Sequence, residues 1–82
     1  MKYMKYTDMT QIGPGKDVKV VDIKDGNTFR EKVDSMGLRI GVRVRKLSGQ
    51  VLNGPITIKI GNTKVALGHG MAKKILVTSE QE

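Results

Sequence analysis

The sequence predicts a mainly β fold, a small and partly open antiparallel barrel carrying one short α-helix. Three observations lead there. Apolar and polar residues alternate with a period of two in several short segments, the mark of half-buried strands. Ten of the 82 residues are Gly, above the usual share of roughly 7%, which fits a turn-rich β chain. A chain of this length buries only about 60% of the surface it exposes when unfolded, so it holds one thin core. Five short strands around such a core need closure to hide their edges.

Residues 1–7 show no period and are expected to form a flexible N-terminal arm. Asp8 can cap a single helical turn in which Met9 and Ile12 face the same way, and Gly13-Pro14-Gly15 ends it. From Lys16 to Ile23, Val18 and Val20 alternate with Asp17, Lys19 and Asp22, giving the first strand. Asp25-Gly26-Asn27 breaks that strand. Thr28-x-x-Glu31 has capping-box spacing, so the helix is expected to start at Thr28 and run to Met36. Phe29, Val33 and Met36 form its apolar stripe, and Gly37 is the left-handed stop. At about two turns, this helix depends on docking its stripe against the sheet.

Val42 and Val44 alternate with Arg43 and Arg45 in a second strand, with one core face and one cationic face. Ser48-Gly49 and Asn53-Gly54-Pro55 bracket a loop. Ile56, Ile58 and Ile60 alternate with Thr57 and Lys59 in a third strand, and Gly61-Asn62 joins it by a tight hairpin to a fourth over Thr63 to Leu67. After Gly68-His69-Gly70, Met71 to Lys73 can make one turn. Ile75 to Thr78 is a short fifth strand before the acidic tail, residues 79–82. The expected organisation is thus an arm over 1–7, one barrel over 8–78 and a short acidic tail.

Charge narrows the functional classes. Fifteen Lys and Arg against eight Asp and Glu give a net charge of +7, which points to acidic partners. There is no Cys and a single His, so neither a thiolate metal site nor a histidine cluster can be built. The five Asp are scattered over predicted exposed faces, whereas acid–base catalysis by paired carboxylates needs two in one dry pocket. Gly13-x-Gly15 and Gly68-x-Gly70 lack the Gly-Lys-Ser/Thr ending of a phosphate loop. A non-enzymatic protein with no cofactor is expected. No apolar run approaches the ~18 residues of a membrane span, and no secretion signal follows the first lysines, so a cytoplasmic protein that does not itself span a membrane is expected.

The run Phe29-Arg30-Glu31-Lys32-Val33-Asp34-Ser35-Met36-Gly37-Leu38-Arg39-Ile40-Gly41 resembles the signature of the FeoA family, in which a helix ends in Asp-x-Met-Gly-Leu before a turn. Met9-x-x-Ile12 with Pro14-Gly15, the Gly54-Pro55 pair before the third strand, and Ala72-x-x-Ile75-x-Val77 fit that family in the same order, so the resemblance spans residues 8–78. Ile40 stands where the family usually has Pro, and Gly68 and Met71 replace its common Arg and Glu. The resemblance implies an SH3-like barrel and a cytoplasmic accessory role in bacterial ferrous iron uptake through contact with the FeoB membrane transporter, in a family linked to transition metal ions.

The expected partner-binding residues are Leu38, at an apolar barrel edge, and the basic cluster Arg39, Arg43, Arg45 and Lys46. The plainer reading of each is structural: a core residue after a helix stop, and a solvated strand face. His69 is expected to be an ordinary loop histidine. A different class, a nucleic-acid-binding small basic barrel, is suggested by the charge. It is opposed by the scarcity of aromatic platforms, since only Tyr3, Tyr6 and Phe29 are present. A module like the SH3-like domain of iron-dependent repressors is a third possibility, but a stand-alone accessory protein suits a chain with no fused DNA-binding domain better.

Overall fold

Strand alternation and turn chemistry place six strands in one antiparallel sheet. The computed structural model describes residues 6–24, 26–48 and 54–78. Its elements are β1 (Tyr6–Asp8), a 3-10 turn (Met9–Gln11), β2 (Asp17–Ile23), α1 (Gly26–Asp34), β3 (Arg43–Ser48), β4 (Ile56–Ile60), β5 (Thr63–Leu67), α2 (His69–Ala72) and β6 (Ile75–Thr78). The sheet order is β1-β6-β2-β3-β4-β5, with every neighbouring pair antiparallel. It stays open between β1 and β5, yet one buried cluster draws on β2 through β6 and both helices. The sheet therefore wraps around a single core, as a partly open SH3-like barrel does.

The lead-in follows its residues. Asp8 accepts a hydrogen bond from the Thr10 amide at 2.8 Å and another from the Thr10 hydroxyl, which caps the 3-10 turn and turns Met9 fully into the core. Tyr6 to Asp8 pair with Thr78 to Leu76, so the expected arm is strand at its last two residues and the strand count is six, not five. The physical reason is β6: its second edge needs backbone partners, and a three-residue strand is too short to show a period. Residues 1–5, and the acidic tail proposed from 79, lie outside the described residues.

The helix departs from expectation at its start. It begins at Gly26, so Thr28 and Glu31 are exposed residues inside it, and the capping box is not formed. Gly26 takes φ +84°, which allows the turn from β2 without help from a threonine cap. At the other end α1 stops at Asp34, two residues short of the expected Met36, while the Gly37 stop itself forms as its sequence requires. The Gly37 amide donates to the Asp34 carbonyl at 2.9 Å and the Leu38 amide to Val33 at 3.0 Å, the paired bonds of a Schellman motif with Gly37 left-handed at φ +97°. Its hydrophobic contact is the Val33–Leu38 pair, both fully buried. Phe29 and Met36 are half-buried against the same core, and the Lys74 ammonium stands 5.2 Å from the Phe29 ring centroid.

In β6, Thr78 is buried, and its hydroxyl has no hydrogen-bond partner among the described residues. A buried unpaired hydroxyl costs about 1–3 kcal/mol, and Val has nearly the same shape. Thr78→Val should therefore stabilise the protein by about 1 kcal/mol, read as a higher denaturant midpoint at unchanged m-value. A lower midpoint would mean that the hydroxyl is satisfied.

Candidate docking surfaces

The five expected partner-binding residues do not share one surface. Leu38 is fully buried beneath the Schellman turn, and Lys46 is only 2% exposed. Both are corrections. Leu38 is the apolar partner of Val33 that the helix stop requires. Lys46 falls on the same side of β3 as buried Val44, because side chains two apart in a strand share a face. Its ammonium reaches back to the lead-in and donates to the carbonyl of Ile12 at 2.6 Å and, at 3.5 Å, to that of Thr10. Burial pushes its pKa down, with Asp8 partly opposing.

Arg43 and Arg45 are exposed on the other side of β3. The Arg45 guanidinium grips Asp17 of β2 through Nε at 2.7 Å and a second nitrogen at 3.1 Å. That hydrogen bond holds the Asp17 carboxyl below the usual carboxylate value. Strand register adds cations that the sequence did not single out: Lys19 stands opposite Arg43, Lys59 opposite Arg45, and Lys64 opposite Lys59. A hollow of about 330 Å³ on this face is lined by Asp17, Arg43, Val44, Arg45, Lys59 and Gly61.

Arg39 belongs to a second surface. There, α1, the Schellman turn and the end of β2 enclose a groove of about 300 Å³, lined by Ile23, Arg30, Glu31, Asp34, Leu38, Arg39 and Ile40. Ile23 and Leu38 are buried core residues, whereas Ile40 is 53% exposed. Two ion pairs frame the groove: Arg39 with Asp34 at 2.5 Å and Arg30 with Asp22 at 3.2 Å. Both are exposed pairs that fix side-chain orientation more than stability. Ile40 was noted in the sequence only as a departure from a family Pro. Its signal was an isoleucine between two turn glycines, Gly37 and Gly41, where no strand or helix can bury it.

Neither surface is an enclosed reaction site. Among the described residues no three His, Asp or Glu side chains are grouped so as to hold a metal ion. His69 is half-buried and opens α2 instead of standing in a loop. No described helix is long and apolar enough to cross a membrane.

Comparison with known proteins agrees with this architecture. The model of the FeoA domain family matches residues 7–79. A Methanocaldococcus jannaschii protein named "Putative Fe(2+) transport protein A" is 35% identical over 63 residues, covering 77% of this chain and 74% of its own. The crystal structure of an iron uptake regulatory protein (FeoA) is 34% identical, with a TM-score of 0.80 over 89% of this chain and 95% of that one. A manganese-dependent transcriptional repressor shares the fold at 23% identity and a TM-score of 0.84, with 98% of this chain matching 45% of that longer protein. The same barrel thus occurs alone and as part of metal-dependent repressors, and on the match over 7–79 this chain belongs to the FeoA domain family.

Proposed function

We propose that this protein is a non-enzymatic accessory of ferrous iron uptake that acts on the cytosolic side by contact with the FeoB membrane transporter. The observation that carries this reading is the family match over nearly the whole chain, joined to a relative named for Fe(2+) transport. The surface chemistry supports it. The groove beside α1 offers Ile40 as an exposed apolar anchor over a floor of Ile23 and Leu38, with Arg39 on its rim. An apolar anchor in a pocket with a polar rim is the usual anatomy of a protein contact. Arg43 and Arg45 then supply orientation and on-rate more than affinity.

The test is capture of the transporter from a detergent extract of membranes holding FeoB. The parent protein should retain it. Ile40→Glu, at a position 53% exposed, should stay folded and lose at least about tenfold in affinity, the effect of one anchor residue worth about 1.4 kcal/mol or more. Retention of FeoB by that variant would remove the groove from the contact. Recovery of RNA or DNA without the transporter would replace the accessory reading by a nucleic-acid-binding one.

A further inference from the structure

We propose that the outer face of β2 to β5 is a docking surface for anionic phospholipid headgroups, seating the protein on the bilayer beside its transporter. This deepens the accessory reading and rests on it. By strand register Asp17, Arg45, Lys59 and Lys64 form one row across four strands, with Lys19 and Arg43 paired alongside. With strands about 4.8 Å apart, that row spans about 14 Å. Five of its six charged groups are cations, and three of its cross-strand neighbours are like-charged: Lys19 with Arg43, Arg45 with Lys59, and Lys59 with Lys64. Like charges placed directly opposite destabilise a sheet. Asp17 is the one carboxylate in the row and is already engaged by Arg45. Lys59 and Lys64 are exposed and make no ion pair with any described residue. Lys59 and Lys64 therefore present positive charge that no described carboxylate balances and that an outside anion can.

The face also says which anion fits. On its β4 and β5 half the remaining outward residues, Thr57 and Ala66, are small, so around Lys59 and Lys64 it gives a protein partner no apolar anchor, in contrast to the groove at Ile40. Among the described residues it carries no aromatic ring either: Tyr6 lies on β1 and Phe29 on α1, so neither supplies it with the stacking platform that single-stranded nucleic acids use. A surface studded with phosphates needs neither anchor nor ring. It needs several cations on one side, and lysine arms long enough to reach headgroups suit it.

Sedimentation with vesicles tests this without the transporter. The full chain should bind vesicles of mixed phosphatidylcholine and phosphatidylglycerol at physiological salt and ignore phosphatidylcholine alone, and the binding should weaken as salt rises. Lys59→Gln with Lys64→Gln, both exposed, should leave the melting temperature unchanged and lower vesicle affinity about 25-fold, at about fivefold per basic residue. No binding to the anionic vesicles, or an unchanged affinity in that variant, overturns the proposal. Tighter binding to duplex DNA than to vesicles at the same salt also overturns it. Vesicle binding lost while FeoB capture persists rejects the lipid face alone; vesicle binding kept while FeoB capture is absent upholds the lipid face and rejects the partner reading.

Discussion

Val33→Asp should leave the chain unfolded at room temperature. Val33 is fully buried and is the only buried residue of α1. It holds both the helix and, through Leu38, the Schellman turn against the sheet. A helix of nine residues is too short to persist on its own, so its free energy comes from that docking. An aspartate there is either an unpaired buried charge or a neutral acid without hydrogen-bond partners, and even the second costs roughly 2–7 kcal/mol. The whole stability of a domain this size is roughly 4–12 kcal/mol. Two companions make the result interpretable: Val33→Ala should lose about 2 kcal/mol and stay folded, and Lys32→Gln, exposed at the next position, should change stability by less than about 0.5 kcal/mol. Far-ultraviolet circular dichroism with urea titration reads all three. A Val33→Asp protein that melts with the parent would mean the stripe faces water.

Those elements were legible because each is specified locally. The period of two in β2, β3 and β4, the Gly61-Asn62 hairpin with Gly61 at φ +60°, and the helix stop at Gly37 all follow from residues within a few positions of one another. Two features were not local. β1 forms because β6 has a second edge to satisfy, and three residues cannot announce that. The start of α1 was set by the left-handed backbone of Gly26, which outcompeted a capping box whose spacing was correct but which the chain never used. Local patterns state what a segment can do; neighbours decide among the options.

The candidate surfaces show the same division. A basic cluster counted along the sequence groups Arg39, Arg43, Arg45 and Lys46, but the sheet separates them. Arg39 joins the groove, Arg43 and Arg45 join lysines from β2, β4 and β5, and Lys46 leaves the surface. Lys59 and Lys64 are far from Arg45 in sequence and adjacent to its row in space. Only register reveals that juxtaposition. The burial of Lys46 was readable, since it stands two residues after Val44. Its charge concealed a position that the alternation gave plainly.

Lys46→Glu therefore separates the two pictures of this strand. On a solvated cationic face, the exchange would leave stability intact and weaken acidic partners. In the structure, it puts a carboxylate in a buried site facing the Thr10 and Ile12 carbonyls, with Asp8 nearby. Acceptors then face acceptors, and the cost should be about 3–5 kcal/mol, the scale of an uncompensated buried charge. Lys46→Met keeps the packing but leaves two carbonyls without their donor, for about 1–3 kcal/mol. Arg43→Glu with Arg45→Glu should leave the unfolding midpoint near that of the parent, because both residues are exposed. A pH series adds a second signature. Burial lowers the Lys46 pKa in the folded state, so between that lowered value and the ordinary lysine value the unfolded chain binds more protons. Stability attributable to Lys46 must then rise with pH across that window. The parent should gain on Lys46→Met as the solution is made alkaline, whereas a constant difference would place the ammonium in water. A Lys46→Glu protein as stable as the parent would return this residue to the docking surface and cut the tie between β3 and the lead-in.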